Sequence, residues 1–421
     1  MRASRPDLHA NKEFMTPVDF KRQFLNLEGA ADKAFRAAFF FLPISKSLLF
    51  LALAIAFGLF IAGGGLRGAV PKWRALPWTM PALALGLLPL LSLLVHPDLK
   101  DGLSNLDLAY YWLLAFVAFL ASSRMAILPW MRAFLCGVFI AFCYAQATAA
   151  GWEGLRTAPG SLANYILYSQ MLAISIALLS VLYAHESDRR WKSAYLAGIV
   201  LFLVGMAFGN GRSGMLAVLV LFPFIFSNIF PNASRVKILL VCVVAVLALL
   251  MSPRVQTRIE AAVSDLRLMQ NEMKETSLGY RIDMWTVASE VVRENPVFGA
   301  GPDGFRKAWR STPRTGEALG FVEPHNAFFF YASSYGMIGL AVLLWLYAAL
   351  LHTGWRHRTS LAGGIAFSFA VVVVVGSLTN TMFMGSISHA WMMLFIGLQG
   401  ALLHAASRTA PAGYEGRVAT S

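Results

Sequence analysis

Residues 163–184 read ANYILYSQMLAISIALLSVLYA, a run of 22 positions without one charged side chain. A helix needs about 20 mainly apolar residues to cross the hydrocarbon core of a bilayer. Comparable runs recur along most of the 421 residues, of which 57% are hydrophobic and only 14% charged, whereas soluble domains are about 25% charged. The sequence therefore predicts an all-α, polytopic membrane protein and excludes a string of soluble domains.

Eleven apolar runs are long enough to be transmembrane helices when tilt and bilayer thinning accommodate the shorter ones. They lie at 46–65, 78–95, 105–121, 126–149, 163–184, 193–208, 214–230, 237–251, 326–351, 361–379 and 387–405. A polar stretch, 252–324, carries ten Lys/Arg and ten Asp/Glu residues. It is predicted to be a folded, largely helical loop outside the membrane.

The short loops assign an orientation, because Lys and Arg are enriched on the cytoplasmic side. Basic loops alternate with loops that are poor in Lys and Arg. The first set, the basic loops, comprises 66–77, 185–192, 231–237 and 352–360. The second set, the loops poor in Lys and Arg, comprises 96–104, 150–162, 209–213 and 380–386. The first set is therefore predicted to be cytoplasmic, and the second set, with 252–324, to lie outside. This bias also accounts for the net charge of +13, since no basic run interleaved with aromatic residues indicates a nucleic-acid partner.

The amino-terminal region needs one further crossing. Residues 1–36 and the loop 66–77 are both basic, and one span cannot join two cytoplasmic segments. The intervening PISKS at 43–47 contains a proline, which disfavours a continuous helix, and a lysine, which is costly at mid-membrane. We therefore predict a hairpin of helices near 30–44 and 46–65, and hence about 12 transmembrane helices with both termini in the cytoplasm.

The predicted organisation has five parts, and the polar opening residues show no removable signal peptide. The parts are a cytoplasmic segment at 1–29, transmembrane helices 1–9 at 30–251, the outer loop at 252–325, transmembrane helices 10–12 at 326–405, and a cytoplasmic tail at 406–421.

The outward loop FGNGRSG at 208–214 is the first candidate functional segment. Its glycines permit a tight turn that offers backbone N–H groups to an anion, and Arg212 is expected near the outer boundary of the bundle. A snorkelling arginine at a helix end is an equally good interpretation on local grounds.

The second candidate, GYRIDMW at 279–285, opens a predicted amphipathic helix that ends at Asn295-Pro296. The following FGAGPDGF at 298–305 is predicted to form a turn. Arg281 near the helix start, together with the positive end of the helix dipole, favours a phosphate group. A surface ion pair between Arg281 and Asp283 is the alternative interpretation.

The third candidate is EPHN at 323–326, directly before an apolar run. A histidine is readily tuned to act as a general base at neutral pH, although an isolated interfacial histidine such as His325 is more often structural. Asn326 is equally suited to capping the next helix and to binding a sugar. The other seven histidines show no metal-ligand spacing, and the three cysteines lie inside apolar runs. The sequence therefore predicts no metal, no cofactor and no disulfide framework.

In this combination and order, the motifs R-S-G, Y-R-x-D-x-W, N-P-x-x-G-x-G and P-H-N resemble those of the O-antigen ligase family. Its wider superfamily includes the O-antigen polymerases and the bacterial oligosaccharyltransferases that glycosylate pilins. The resemblance covers most of the chain, and its specific motifs lie between residues 209 and 326.

The resemblance implies a GT-C-like glycosyltransferase in the inner membrane of a Gram-negative bacterium, with its active site in the periplasm. Such an enzyme moves a glycan from undecaprenyl pyrophosphate to the outer core sugar of lipid A-core and uses neither a nucleotide sugar nor a metal. By motif match, Arg212 and Arg281 are the functional arginines and His325 the functional histidine. Ser213, Tyr280 and Asn326 adjoin them and are predicted to contact substrate.

This assignment is chemically consistent, because two guanidinium groups can stabilise the charge that grows on a pyrophosphate leaving group. His325 would then deprotonate the acceptor hydroxyl in a single, inverting displacement. The alternatives are an O-antigen polymerase, a protein oligosaccharyltransferase, a lipid-linked oligosaccharide flippase or other transporter, and a structural membrane partner. The roles of Glu323, Asp283 and Tyr280 stay open.

Overall fold

The computed structural model describes most of the apolar segments and part of the polar stretch. The described residues are 17–67, 73–97, 106–149, 165–208, 211–251, 256–257, 260, 263–264, 277–311, 320–383 and 386–403. Within these ranges the secondary structure is helical, and no strand is formed. The predicted loop 150–162 and most of 252–276 lie outside the described residues, as do the termini with His9 and His404.

Twelve long helices and two helices of the polar stretch define the described architecture. They are α1 Pro17–Phe41, α2 Lys46–Ala62, α3 Thr79–Val95, α4 Leu106–Ser122, α5 Leu128–Ala149, α6 Tyr165–His185, α7 Arg189–Phe208, α8 Arg212–Ile229, α9 Arg235–Met251, α10 Ser277–Glu294, α11 Gly304–Ser311, α12 Ala327–Arg356, α13 Leu361–Ser377 and α14 Ser386–Gly397.

Four of the described helices are long and apolar enough to cross a membrane: Leu128–Thr148, Tyr165–His185, Arg189–Ala207 and Ala327–Arg356. Six further apolar helices are shorter. Of the Tyr165–His185 window, 83% is buried inside the protein, so α6 lies at the centre of the bundle, where it contacts α7, α8 and α13. The chain is therefore a helical, multi-pass membrane protein, while the count of twelve crossings and the orientation stay predictions.

The amino-terminal hairpin has the predicted break. Helix α1 ends at Phe41 and α2 begins at Lys46, and the two helices pack against each other. Ser45 caps α2 by accepting a hydrogen bond from Leu48 N, 3.5 Å away. Helix α1 begins at Pro17, well before the predicted start near 30, because its first half is polar and gives no hydropathy signal. The predicted segment 1–29 is thus partly helical.

Helix α12 is broken at Gly336, where φ is 67° and ψ is −163°. This break was not predicted from the sequence, which indicated an uninterrupted span over 326–351. The interruption exposes backbone groups in the middle of the helix, and such groups must find partners away from water. Residues 296–301, from the Asn-Pro and glycine turn after α10, supply those partners.

Four backbone hydrogen bonds join the turn to the break in α12. Their donors and acceptors are Ala300 N to Ser333 O at 2.9 Å, Gly301 N to Ser334 O at 3.1 Å, Met337 N to Pro296 O at 2.8 Å and Ile338 N to Val297 O at 3.5 Å. His96, which ends α3, adds a contact of 2.9 Å between its Nε2 and Gly299 O. The turn is therefore part of the packed framework, and it fixes α10 and α11 against the membrane helices.

Candidate active site

The amino-terminal half of α10 is docked on the segment that carries His325. Trp285 Nε1 donates a hydrogen bond to Pro324 O at 3.1 Å, and its ring stacks on Phe329 at 5.8 Å between centroids. One turn earlier, Tyr280 contacts the ring of Phe321 edge-on at 5.4 Å. The Y-R-x-D-x-W and P-H-N motifs therefore lie against each other, although 39 residues separate Trp285 from Pro324.

A small hydrophobic core holds the two helices of the polar stretch together. Met284, Val287 and Ala288 of α10 are buried against Phe305 and Trp309 of α11. The rings of Phe305 and Trp309 also stack at 5.8 Å, so α11 gives α10 a second support besides α12. The described part of the polar stretch is thus helical and has a small core of its own.

Arg281 is the fifth residue of α10, because the helix begins at Ser277 rather than at Gly279. Its half-buried side chain starts one turn before Trp285, and residues four apart lie on the same helix face. The free N–H groups of the helix end belong to residues 277–280, and Arg281 directly follows them. That Arg281 and the helix dipole together favour a phosphate group stays a prediction, while the proximity of Arg281 to the His325 segment is supported.

His325 has a strained backbone and a carboxylate neighbour. Its φ is 49°, a left-handed value that is uncommon for residues other than glycine. Its Nδ1 lies 3.6 Å from Oε1 of Glu323, and the two side chains are 28% and 17% exposed, respectively. The ring also contacts Phe321 edge-on at 5.8 Å between centroids. His325 is thus held in place while part of its ring remains open to an acceptor.

Asn326 uses its amide to build the fold. Its Oδ1 accepts hydrogen bonds from Phe328 N at 2.9 Å and Phe329 N at 3.2 Å, which caps α12. Its Nδ2 donates to Leu378 O at 3.1 Å, just after the end of α13. Of the two roles predicted for Asn326, capping is the one that the structure shows, and contact with a sugar stays a prediction.

Replacing Asn326 by alanine should lower the melting temperature of the purified protein. Loss of an N-cap costs about 0.5–2 kcal/mol, and the unpaired carbonyl of Leu378 adds to this cost. Asn326→Ser keeps a capping oxygen and should be less destabilising than the alanine variant in the same thermal unfolding assay. Equal losses for the two variants would show that the cap contributes little.

Ser213 lies in a buried polar contact between α6 and α8. It is 3% exposed, and its hydroxyl lies 3.4 Å from both Ser169 Oγ and Gln170 Nε2. The N–H of Gly214 donates to Ser169 Oγ at 3.2 Å. A Cβ on Gly211 or Gly214 would lie 2.1 Å from atoms of Ser169, so these glycines permit close helix packing. The expectation that they offer N–H groups to an anion is wrong for Gly214.

The start of α8 and the His325 segment lie at the same end of the bundle. Gln170 packs on Gly376 near the end of α13, where an added Cβ would lie 2.7 Å from Gln170 Nε2. Two residues later, Leu378 O accepts the hydrogen bond of Asn326. Arg212 is the first residue of α8, and Gly209 and Asn210 fall outside the described residues. The R-S-G motif is therefore linked to P-H-N through α13.

An apolar pocket of about 430 Å³ opens beside this site, between α10 and α12. Its lining combines two residues of α10 with six at or after the start of α12: Ser289, Val292, Asn326, Phe328, Phe329, Ala332, Met337 and Leu340. Of the aromatic run after Asn326, only the first two rings reach this pocket, since Phe330 and Tyr331 are buried in the core. The pocket and the P-H-N motif thus both lie at the start of α12.

These features define a class: a helical, multi-pass membrane protein with polar motifs gathered at one end of the bundle beside an apolar pocket. Residues 197–344 match the family described as O-antigen ligase, and this range contains Arg212, Arg281 and His325. This segment of the chain is therefore similar to the O-antigen ligase family.

An uncharacterized protein of Haemophilus influenzae is similar to this chain, with 26% identity over 187 residues. The match covers 41% of this chain and 47% of that protein, or about half of the relative's length. Among the described residues, no three His, Cys, Asp or Glu side chains are grouped as metal ligands. Metal independence therefore remains a matter for the transfer assay.

Proposed function

We propose that the protein is an O-antigen ligase, which transfers a glycan from undecaprenyl pyrophosphate to a sugar of lipid A-core on the periplasmic face of the inner membrane. The observation that carries this proposal is the docking of α10 on the His325 segment through Trp285 and Pro324. It brings the helix with Arg281 to the histidine, and both lie within the matched range of the family.

The chemistry of the proposed reaction needs a base for the acceptor and a cationic site for the leaving group. The acceptor oxygen attacks C1 of the donor sugar while its proton passes to His325. The bond between C1 and the pyrophosphate oxygen breaks, and the electron pair remains on that oxygen, so the anomeric centre inverts. Arg281 and Arg212 would stabilise the developing charge by multidentate hydrogen bonds.

The pocket between α10 and α12 suits the hydrocarbon part of a lipid substrate. Phe328, Phe329 and Leu340 give it an apolar lining, and it begins at Asn326, the residue after His325. A long-chain lipid held there would keep its polar head at the start of α12. This position supports a lipid-linked substrate and gives the donor's pyrophosphate access to the α10 helix.

Transfer by the purified protein tests the proposal directly. The protein in lipid nanodiscs is given undecaprenyl-pyrophosphate-linked glycan and lipid A-core in the presence of EDTA. We expect glycan on lipid A-core, and activity in EDTA would establish metal independence. Growth of the glycan on the polyprenyl carrier instead would identify a polymerase. Absence of transfer to either acceptor would contradict both and favour a transport assay in proteoliposomes.

Arg281→Lys should lower kcat/KM for the donor by about 10- to 100-fold, although the charge is retained. A charge-assisted hydrogen bond contributes about 1.5–3 kcal/mol, and lysine cannot reproduce the planar, bidentate geometry of a guanidinium group. Arg293→Lys, at an exposed position of the same helix, is the matched control and should keep wild-type kinetics. Near wild-type turnover in Arg281→Lys would remove Arg281 from the pyrophosphate site.

A further inference from the structure

Glu323 and His325 form a pair that the proposed reaction has not yet used. Their closest atoms, Glu323 Oε1 and His325 Nδ1, are 3.6 Å apart. Within the described part of the chain, Nδ1 of His325 and Oε2 of Glu323 are both buried and make no hydrogen bond. A carboxylate that is 17% exposed therefore faces the inner nitrogen of the candidate base, and neither atom is satisfied by another described group.

The backbone between the two residues is fixed on both sides. Trp285 holds the carbonyl of Pro324, and the cap formed by Asn326 fixes the first turn of α12. Between these anchors His325 keeps a φ of 49°, a conformation that costs about 1–3 kcal/mol and persists only where its surroundings enforce it. The imidazole and the carboxylate two residues earlier are therefore brought within 3.6 Å of each other by a segment that the fold holds in place.

We propose that Glu323 is a positioning residue for His325, an inference that rests on the proposed function. As a carboxylate it accepts the Nδ1–H of the ring, which selects the tautomer whose Nε2 is free to take the acceptor's proton. It then stabilises the imidazolium that forms when that proton arrives, as a carboxylate does in catalytic triads. The distance of 3.6 Å needs to shorten by a few tenths of an ångström, which is common when substrate binds.

Other charged and titratable groups lie in the first turns of α10, which is docked on this segment. Tyr280 contacts Phe321, whose ring edge meets His325, and Arg281 and Asp283 follow Tyr280 in the same helix. Leu378, which approaches from the end of α13, is uncharged. Variants of Glu323 must therefore be compared with a control that changes charge elsewhere on α10.

The test compares kcat and KM of glycan transfer for Glu323→Gln and Glu323→Asp. An amide in place of the carboxylate neither selects the same tautomer nor stabilises the imidazolium, so Glu323→Gln should reduce kcat by up to about 10⁴-fold. KM for the donor should change little. Glu323→Asp should recover part of kcat, and Glu290→Gln, exposed on α10, should leave kcat and KM unchanged.

A second measurement separates this inference from the proposed function. The tautomer of the His325 ring is read from its ¹⁵N chemical shifts in the histidine-labelled protein, with the resonances assigned by their absence in His325→Asn. Loss of the Nδ1–H tautomer in Glu323→Gln supports the pair even if neither glycan acceptor is used. An unchanged tautomer, or an unchanged kcat accompanied only by a lower melting temperature, would show that Glu323 merely braces the turn.

Discussion

His325→Ala should reduce glycan transfer by about 10²- to 10⁴-fold, the range that a positioned general base contributes. The acceptor is an ordinary hydroxyl, which is a poor nucleophile until its proton is removed, and His325 is the residue that we propose removes it. The side chain is 28% exposed, so its removal leaves no large cavity in the core. The variant should therefore remain folded and bind the donor with wild-type affinity, and the loss should appear in kcat.

The backbone of His325 dictates the choice of controls. Because alanine tolerates a φ of 49° poorly, any instability of His325→Ala is ambiguous on its own. Asparagine visits the left-handed region readily, so His325→Asn removes the base while keeping the conformation. His352→Ala removes an exposed histidine from the far part of α12 and should be fully active. Substantial turnover in His325→Asn would end the general-base assignment.

Local chemistry made part of the fold predictable. The PISKS segment separates α1 from α2, as its proline and lysine predicted, and the hairpin between the two helices follows. Asn295-Pro296 likewise ends α10 at Glu294. The polar start of α1 was not predicted, because hydropathy reports burial in lipid and says little about a helix that begins in water. Helix boundaries at such proline-containing segments could therefore be predicted from this one sequence.

The candidate site could be predicted only as a set of motifs. The sequence indicated Arg281 and His325, but the contact between Trp285 and Pro324 joins residues far apart in the chain. Asn326 was compatible with a cap and with a sugar contact, and only the position of Leu378 shows how both ends of its amide are used. Pairings of this kind depend on how the helices assemble, which local patterns do not report.

Gly336→Ala should strongly destabilise the protein. The glycine has φ 67° and ψ −163°, a region that is essentially restricted to glycine and costs other residues about 1–3 kcal/mol. A Cβ there would lie 2.1 Å from Val297 O and 2.6 Å from Phe298 N. Both are backbone atoms and cannot rotate away, so the turn must separate from α12.

That separation would break the hydrogen bonds between 296–301 and the break in α12, at about 1 kcal/mol for each bond. The purified variant should melt well below the wild type and lose transfer, because α10 is positioned through this turn. Gly58→Ala, in α2 with open space around its Cβ, is the matched control and should be neutral or slightly stabilising. If Gly336→Ala instead had the melting temperature of the wild type, the contact with the turn would not hold the break in α12. The position of α10 would then depend on its other contacts, such as the hydrogen bond from Trp285 to the Pro324 carbonyl.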